Sequence, residues 1–543
     1  MRGVSGREWV ILSSRISPPE DLVRKYGPFL AQLIANRGFE GEHERIFDLR
    51  LRNIPPYRLI PGIEEGTERI VRAVKRRERI ILFGDYDVDG ITATAILFQI
   101  LKKAGARVVP VLPSRGTGYG LSERLLKIFS RYGDLLITVD NGSSAFSEFD
   151  SFPIDVIVID HHNVPDGDTS KGILINPRSD GNTPRELKEI SSSAMCFYIG
   201  TLIANRLGLD IDTRYHLDLV ALGTVADVMP MNYLNRIFVS KGLKLLESVF
   251  EGALRKPGIR SLLEVSRIGP PISAKDISYS VAPRLNAPGR IGDPKVSLDL
   301  LLEEDPLRAR ILSRKIEVLN SRRRALTDSV LREASQMVNQ QRKESFIAVW
   351  SDKWHVGVLG IVAGRLSNTT GKPVAVIAQG EEKSVGSVRS SEGINIYDGL
   401  KQISDLFLKW GGHPGAMGIT LKSSDLERFR SSANEVFSHI PRDPPPLYAD
   451  MELSPSELSS SLIEKMKILE PFGEGNPYPS FVSPPVEIEN VEGSNGKVRI
   501  KVEGREVLCW ERKLVNYLMD GRKVRILYQV MNDDLTLVDL CPT

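Results

Sequence analysis

The feature that most constrains this fold is a series of short, β-branched apolar runs, each followed within two residues by aspartate. The runs cover residues 80–83, 135–139 and 156–159, and the aspartates are Asp85, Asp140 and Asp160. Such runs, interleaved with helical stretches, are typical of a parallel sheet that is buried on both faces. Ligand sites in these sheets lie just beyond the carboxyl ends of the strands. The sequence therefore predicts an α/β domain with a metal site at one edge of its sheet.

Length and composition limit the class of protein. The chain has 543 residues, which favours two to four domains. Its net charge of +3 is small, so a polyanionic partner has to be bound by local patches. Three cysteines without a CxxC motif offer neither a disulfide framework nor a thiolate zinc site. No stretch approaches a membrane span or a signal sequence, so we expect a cytoplasmic protein without membrane contact.

The pattern along the chain predicts five segments. They are an N-terminal helical segment (1–50), an α/β catalytic domain (51–245), a helical connector (246–344), a second mixed α/β domain (345–435) and a C-terminal β-barrel (441–543). In the catalytic domain we expect strands near 80–83, 108–112, 135–139, 156–159 and 172–175, with a helix over 91–103. The periodicity also predicts one long helix within 297–341, and the prolines of 441–446 indicate a stiff linker.

The first acidic motif, Asp85-x-Asp87-x-Asp89-Gly90, imitates the start of an EF-hand calcium loop. An EF-hand needs glutamate at position 12 of the loop, where this chain has Ile96, and it needs a helix on both sides. The motif instead fits a strand-to-helix turn whose carboxylates bind hard divalent ions. The alternative is that the aspartates only cap the helix that follows.

Two histidines and a further aspartate complete the predicted site. Carboxylates with imidazole and no thiolate favour manganese or magnesium, and two such ions about 3.5–4 Å apart can clamp an in-line displacement at phosphorus. His161 and His162 follow a strand and point differently, so we expect one metal ligand and one phosphate contact or proton donor. Asp227 ends an apolar, helical run and is the fourth contributor, although such a residue is often an ordinary helix end.

The acidic and histidine motifs of this chain resemble those of a known family. The segments 84–90, 139–142, 160–162 and 223–227 match, in order, the four motifs of the DHH phosphoesterase superfamily. The segments 283–290, 354–363 and 411–416 narrow the resemblance to the bacterial RecJ exonucleases, and 470–477 resembles the entry to that family's OB-fold. The resemblance covers nearly the whole chain from about residue 30 onward. It implies a DHH domain, a connecting helix, a DHH-associated domain and an OB-fold.

The resemblance also assigns residues. It implies that the catalytic, metal-binding set is Asp85, Asp87, Asp140, His161 and Asp227, with two Mn²⁺ or Mg²⁺ ions and with His162 near the scissile phosphate. The implied substrate-binding residues are Arg115, Arg290, Arg324, Ser387, Arg389 and His413. Of these, Ser387, Arg389 and Arg115 would bind the 5′-terminal phosphate, since a guanidinium suits bidentate phosphate contact.

Three departures from the family pattern are visible, and none removes a proposed ligand. Phe83 stands where the family commonly has histidine, 190–195 replaces a glycine-rich stretch, and Arg324 stands where the linking helix often carries glutamine. In the terminal module, basic residues accompany the aromatic residues Trp510, Tyr517 and Tyr528, which either stack on bases or complete a small core.

These inferences together predict a metal-dependent exonuclease with a cleft between two α/β domains. It would hydrolyse single-stranded DNA from the 5′ end to mononucleotides, in recombination and repair. A single-strand-binding protein and a RecQ-type helicase are partners that the resemblance implies. The alternatives are a nanoRNase or cyclic-dinucleotide phosphodiesterase of the same superfamily, with a pyrophosphatase less favoured, and a catalytically silent single-strand-binding scaffold.

Overall fold

The computed structural model divides the chain into two compact units. It describes residues 1–39, 41, 43–113, 123–165, 170–390, 393–440, 444–494, 497–510, 512–519, 521–531 and 533–543. The first unit, here called the parallel-sheet unit, comprises Ser17–Asn320 and Ser460–Tyr478. The second, here called the barrel unit, comprises Met1–Ile16, Ser321–Ser459 and Pro479–Thr543.

The start of the chain contains a strand as well as helices. Strand β1 (Trp9–Ile11) belongs to the barrel unit and pairs in parallel with residues 447–449. Helices α1 (Glu20–Asn36) and α2 (His43–Phe47) follow. Within α1, Gly27 has φ 78° and precedes Pro28, so the helix is kinked there. The first 16 residues therefore depart from the N-terminal helical segment that was predicted for 1–50.

The predicted parallel sheet is present and is the centre of the parallel-sheet unit. Its strands are β2 (Arg79–Gly84), β3 (Arg107–Val111), β4 (Leu135–Val139), β5 (Asp155–Ile159) and β6 (Ile173–Ile175). They lie in the order β3-β2-β4-β5-β6, and all pairs are parallel. Every residue of β4 is buried, as expected for a strand that is covered on both faces.

Helices cover both faces of this sheet. The helices of this unit up to Ile291 are α3 (Ile63–Lys75), α4 (Val88–Lys103), α5 (Glu123–Tyr132), α6 (Arg185–Lys188), α7 (Ser192–Leu207), α8 (Leu217–Ala226), α9 (Tyr233–Glu251), α10 (Pro257–Ser266), α11 (Ala274–Asp276) and α12 (Ala282–Ile291). Alternate strand residues face opposite sides. Leu82 and Ile137 join the larger core with α4, α7 and α8, whereas Phe83 packs with Phe129 of α5 on the other face.

The long helix predicted within 297–341 is present as α14 (Pro306–Gln340), and a shorter helix, α13 (Lys295–Leu302), precedes it. Helix α13 ends before residues 303–305, and α14 begins after them. Proline suits the first turn of a helix because its missing N–H would have no partner there. The Asp305 carboxylate also accepts a hydrogen bond from the Arg308 N–H at 2.8 Å. Residues 303–306 thus end α13 and begin α14, and the apolar periodicity of the sequence does not reveal this break.

A mixed five-stranded sheet forms one part of the barrel unit. Its strands are β7 (Ile347–Ser351), β8 (Val374–Ala378), β9 (Lys383–Arg389), β10 (Phe407–His413) and β11 (Ala416–Lys422), and its helices are α15 (Leu359–Thr370), α16 (Ile396–Lys401) and α17 (Leu426–Ser438). The order is β10-β11-β9-β8-β7, with β7 and β8 parallel and the other pairs antiparallel. This is the predicted second α/β domain.

The C-terminal residues form the predicted β-barrel. The remaining elements are β12 (Leu447–Ala449), β13 (Met451–Glu452), α18 (Ser460–Met466), β14 (Ser480–Val482), β15 (Val486–Ser494), β16 (Lys497–Val502), β17 (Arg505–Cys509), α19 (Arg512–Val515), β18 (Lys523–Met531) and β19 (Asp534–Pro542). The ring closes because β19 pairs with both β17 and β18. Half of the predicted linker, 441–443, lies outside the described residues. In the part of the chain that is described, no helix is long and apolar enough to cross a membrane.

Candidate metal centre

The turn after β2 is packed so tightly that it fixes the first two predicted ligands. Asp85 is buried, and its N–H donates to the Val139 carbonyl oxygen at 3.2 Å, which ties the turn to β4. Asp87 caps α4 and accepts a hydrogen bond from the Gly90 N–H at 3.0 Å. A Cβ at residue 90 would lie 2.7 Å from the Asp85 carbonyl oxygen, so this position requires glycine. The capping role expected as the alternative is present, but it occupies one carboxylate oxygen only.

Two neighbouring strands bring the next acidic residues to the same edge. Val139 and Ile159 pair in register, so Asp140 and Asp160 follow adjacent strand ends. Asp140 has φ 64°, a left-handed backbone conformation that is uncommon outside glycine. This conformation changes the direction of the chain at the sheet edge, directly after β4. Asp160 is buried and accepts hydrogen bonds from the Ser143 N–H at 3.0 Å and the His161 N–H at 2.8 Å. Asp160 thus holds the loop that carries the histidines.

His161 is a buried imidazole among carboxylates. Its Nε2 lies 3.3 Å from Asp140 Oδ1, 3.4 Å from Asp227 Oδ2 and 4.0 Å from Asp89 Oδ2. Neither ring nitrogen has a hydrogen-bond partner among the described residues, although buried polar side chains nearly always have one. Burial, together with the charge of His162, lowers the pKa of His161 to about 3. The ring is therefore neutral, which is the form that binds metal ions.

The carboxylates around His161 repel one another. Burial and the nearby Asp87 raise the pKa of Asp89 to about 6 and hold the pKa of Asp140 well above its ordinary value. Burial and the charges of Asp89 and Asp87 raise the pKa of Asp227 to about 8. A bound dication would offset this repulsion and favour the ionised forms of all these groups.

Three overlapping groups of ligand atoms fit such an ion. Within each group the ligand atoms lie no more than 4.8 Å apart. The first group is Asp140, Asp160, His161 and His162. The second is Asp89, His161 and Asp227, and the third is Asp85, Asp87 and Asp140. The donors are oxygen atoms with imidazole nitrogen and no sulfur, a set that suits manganese or magnesium. The unpartnered His161 nitrogens and the crowded carboxylates both agree with this fit.

His162 differs from its neighbour, as expected for adjacent residues after a strand. Its side chain is 49% exposed, and its Nδ1 lies 2.7 Å from Asp160 Oδ1. Burial lowers the pKa of His162, but the hydrogen bond to Asp160 and the negative charges of Asp160, Asp227 and Asp87 together outweigh it and raise this pKa to about 9. At neutral pH this ring is protonated and can donate a proton, whereas His161 cannot.

The prediction omitted three residues that build the site. Asp89 accepts hydrogen bonds from the Ser192 N–H at 2.6 Å and the Ser193 N–H at 3.0 Å, at the start of α7. Ser192 Oγ donates to Asp140 Oδ1 at 2.9 Å, and Asp160 positions the histidines as described above. Both aspartates stand inside recognised motifs, which was the available signal. The sequence offered no local signal for the serine.

The predicted substrate-binding residues fall in different places. Arg290 lies at the end of α12 in the parallel-sheet unit. The preceding Gly289 is so close to the first motif that a Cβ there would lie 2.7 Å from the Tyr86 carbonyl oxygen. The last turn of α12, which carries Arg290, therefore lies directly against the Asp85–Asp87 turn. Arg115 lies outside the described residues.

The other four belong to the barrel unit, and three of them share one end of its mixed sheet. Arg389 and His413 both stand opposite Ala416 in adjacent strand pairs, so they occupy one row across the sheet. Arg389 Nη1 donates to Ser387 Oγ at 2.7 Å, which fixes the guanidinium. A Cβ on Gly360, at the start of α15, would lie 2.8 Å from Arg389 Nη2. Arg324 lies apart from this row, on the exposed surface of α14.

The aromatic residues of the barrel divide into surface and core. Trp510 is 53% exposed and Tyr517 is 38% exposed, so both can meet a nucleic-acid base. Tyr528 is fully buried, and its hydroxyl donates to the Leu453 carbonyl oxygen at 3.0 Å. The stacking role considered for Tyr528 is therefore wrong, because its ring completes the barrel core.

Comparisons with known proteins agree with this architecture. The sequence matches the DHH family N-terminal domain over residues 79–224, the DHHA1 domain over 343–439 and the RecJ OB domain over 449–533. A single-stranded-DNA-specific exonuclease RecJ from Thermus thermophilus is 32% identical over 495 residues, which cover 90% of this chain and 70% of the relative. The chain belongs to the RecJ family. The RecJ of Bacillus subtilis is 31% identical over 504 residues, and this chain spans 62% of its length.

Solved structures of the RecJ family show the same fold. A crystal structure of Thermus thermophilus RecJ in complex with Mn²⁺ superposes with a TM-score of 0.85 at 28% identity, over 99% of this chain and 80% of that one. A structure of the same protein in complex with Mg²⁺ gives a TM-score of 0.79 over 99% of this chain and 78% of that one, also at 28% identity. The predicted fold class and family are thus confirmed, and these two RecJ structures are complexes with the two ions expected from the donor chemistry, Mn²⁺ and Mg²⁺.

Proposed function

We propose that this chain is a metal-dependent exonuclease that hydrolyses single-stranded DNA from the 5′ end and releases mononucleotides, as a step in recombination and repair. The observation that carries the proposal is the buried carboxylate cluster around the unpartnered His161, in a chain that belongs to the RecJ family. The closed barrel with two exposed aromatic residues supports long single strands as substrates.

In this proposal Asp85, Asp87, Asp140, His161 and Asp227 hold one or two divalent ions. Bound Mn²⁺ or Mg²⁺ supplies Lewis acidity that activates water and stabilises the transition state at phosphorus. Neutral His161 presents a free lone pair, because its pKa is far below physiological pH. The bond that breaks joins phosphorus to the 3′ oxygen of the terminal nucleotide. Protonated His162 donates its proton to that oxygen as it leaves.

Polarity would come from the barrel unit. We assign the 5′-phosphate contact to Arg389 and Ser387, with His413 in the same row of the sheet. Arg389 is pre-oriented by its hydrogen bonds to Ser387 Oγ and to the Val388 carbonyl oxygen, at 2.7 and 2.9 Å. It also lies against the start of α15, and helix N-termini favour bound anions. A guanidinium and a helix N-terminus together suit a terminal phosphate dianion.

The decisive experiment is a time course on a 5′-phosphorylated, 3′-labelled single strand of several tens of nucleotides with Mn²⁺. Asp140→Asn should lower the rate by about 10³-fold, since several kcal/mol of metal catalysis are lost. Asp134→Asn is the matched control: Asp134 precedes β4 at the opposite end of the sheet, where it pairs with Arg79 at 2.7 Å. Shortening from the 5′ end by the wild type and Asp134→Asn, with none on a blunt duplex, is the expected result.

Other outcomes of this time course would replace the proposal. Cleavage of only two- to five-residue oligonucleotides would favour a nanoRNase, and turnover of cyclic dinucleotides would favour the corresponding phosphodiesterase. Strand binding without cleavage would indicate a scaffold.

The 5′-phosphate assignment needs its own test. Arg389→Ala should abolish the preference for a 5′-phosphorylated over a 5′-hydroxyl strand. Arg365→Ala, which removes an exposed arginine of α15 that pairs with Asp328, should retain the preference. An unchanged preference in Arg389→Ala would refute the assignment. The single-strand-binding protein and the RecQ-type helicase remain proposed partners, and pull-down with each purified protein tests them.

A further inference from the structure

The start of α7 is built into the metal centre. Ser192 Oγ donates to Asp140 Oδ1 at 2.9 Å, and both side chains are buried. The backbone N–H groups of Ser192 and Ser193 donate to the two carboxylate oxygens of Asp89, at 2.6 and 3.0 Å. One turn of helix therefore contacts two acidic residues, from α4 and from the end of β4, that lie more than 50 positions apart in the chain.

A second set of hydroxyl contacts fixes this turn to α8. Ser191 caps α7, accepting a hydrogen bond from the Ala194 N–H at 3.3 Å. Its Oγ also lies 2.7 Å from Ser193 Oγ and 3.0 Å from Thr224 Oγ1. Thr224 is three residues before Asp227 on the same helix. The serines thus join the elements that carry Asp89, Asp140 and Asp227.

The serines at the start of α7 are closely packed against α8 and Asp89. A Cβ on Gly223 of α8 would lie 2.3 Å from Ser193 Oγ and 2.4 Å from Asp89 Oδ1. Ser191, Ser192 and Ser193 are all fully buried. In an environment this crowded, a hydroxyl that donates to a carboxylate determines how that carboxylate is oriented.

We propose that Ser192 is a positioning residue of the metal centre: its hydroxyl holds the Asp140 carboxylate in the orientation that binds the divalent ion. The inference rests on the proposed metal-dependent function. Asp140 needs such a partner because its backbone is in the left-handed region and its Oδ1 also lies 3.3 Å from His161 Nε2. The hydrogen bond to Ser192 orients this oxygen relative to the imidazole. Partners of metal ligands typically change metal affinity or activity by about 10–100-fold.

The test measures Mn²⁺ binding directly. The electron paramagnetic resonance signal of free Mn²⁺ is followed as metal-free protein is titrated, so the dissociation constant is obtained without turnover. Ser192→Ala should raise that constant by about 10-fold or more. Thr201→Ala is the matched control, because it removes a hydroxyl from the same helix, where Thr201 Oγ1 donates to the Phe197 carbonyl oxygen at 2.8 Å, but leaves the hydrogen bonds to Asp89 and Asp140 described above in place. It should bind Mn²⁺ within about twofold of the wild type.

Activity then separates positioning from chemistry. At saturating Mn²⁺, Ser192→Ala should recover kcat to within a few-fold, with an unchanged KM for single-stranded DNA. In an Asp140→Asn background, Ser192→Ala should have no further effect on Mn²⁺ binding. Equal Mn²⁺ affinity in Ser192→Ala and Thr201→Ala would overturn the proposal, and so would a kcat that stays low at saturating Mn²⁺.

Two further arms keep the test decisive. If Ser192→Ala does not fold, Ser192→Cys keeps the volume, weakens the donor and should show the same rise in the dissociation constant. A wild type that binds Mn²⁺ but does not cleave DNA would refute the proposed function, while the Ser192 comparison would still stand. A wild type that binds no Mn²⁺ would refute both.

Discussion

The buried ion pair between Asp218 and Lys256 offers the sharpest test of what stabilises the parallel-sheet unit. Lys256 Nζ donates to both carboxylate oxygens, at 2.7 and 2.8 Å. The lysine side chain is 8% exposed and the aspartate side chain 0%. Lys256→Met leaves the Asp218 charge buried without its partner, so we predict a loss of about 3–5 kcal/mol in the free energy of unfolding. That is a large fraction of the stability of an ordinary domain, about 5–15 kcal/mol.

Hydrogen exchange of the α8 amides measures this loss, because Asp218 lies in the first turn of α8. Exchange from the globally opened state should be about 10²–10⁴-fold faster in Lys256→Met, at 1.36 kcal/mol per tenfold. In the double variant Asp218→Asn/Lys256→Met no charge is left unpaired, and we expect a loss of only about 1–2 kcal/mol. If the double variant exchanged as fast as the single one, the argument from the uncompensated charge would be refuted.

Three further predictions concern pH, packing and the barrel. Burial lowers the pKa of His216 to about 3, so on acidification the unfolded chain takes up a proton that the folded chain does not. The free energy of unfolding should therefore fall by about 1.4 kcal/mol from pH 7.5 to 5.5. Urea unfolding of His216→Gln should lack this contribution. Gly223→Ala should lose about 1–3 kcal/mol of stability and bind Mn²⁺ more weakly; a thermal melt and Mn²⁺ affinity equal to the wild type would contradict the packing argument. Trp510→Ala should weaken single-strand binding by about 1–3 kcal/mol, whereas Tyr528→Phe should leave it unchanged. Fluorescence anisotropy with a labelled single strand compares the two variants. Equal losses of binding free energy would contradict the division of these aromatic residues into surface and core.

The parallel sheet could be predicted because its signal is local. Each of the predicted strand ranges lies within two residues of an observed strand, since β-branched runs buried on both faces are continuous in sequence. The aspartates that follow β2 and β4 were predicted for the same reason: strand direction determines which edge they reach. Asp227 was also recognised at the end of an apolar helix, which is α8 in the structure.

The rest of the site depends on contacts that no local pattern encodes. Helix α4 begins at Val88 where residue 91 was predicted, and this earlier start places Asp89 in the first helical turn. Its partners Ser192 and Ser193 are 103 and 104 positions away, so the hydrogen bonds from their N–H groups to Asp89 form only after the chain has folded. Tyr528 illustrates the same limit, because an aromatic residue in an alternating strand is equally compatible with surface and core.

The pairing of β1 has a consequence for biosynthesis. Ser5 Oγ donates to Asp539 Oδ2 at 2.6 Å, across 534 positions of the chain, and Trp9 Nε1 donates to the same oxygen at 2.9 Å. A ribosome adds about 5–20 residues per second, so roughly half a minute to two minutes separate the synthesis of these partners. For most of that interval Trp9 and Val10, both buried in the finished protein, lack their partner strand 447–449 and are available to chaperones. Residues 5–10 are therefore synthesised long before the partners that complete their native environment.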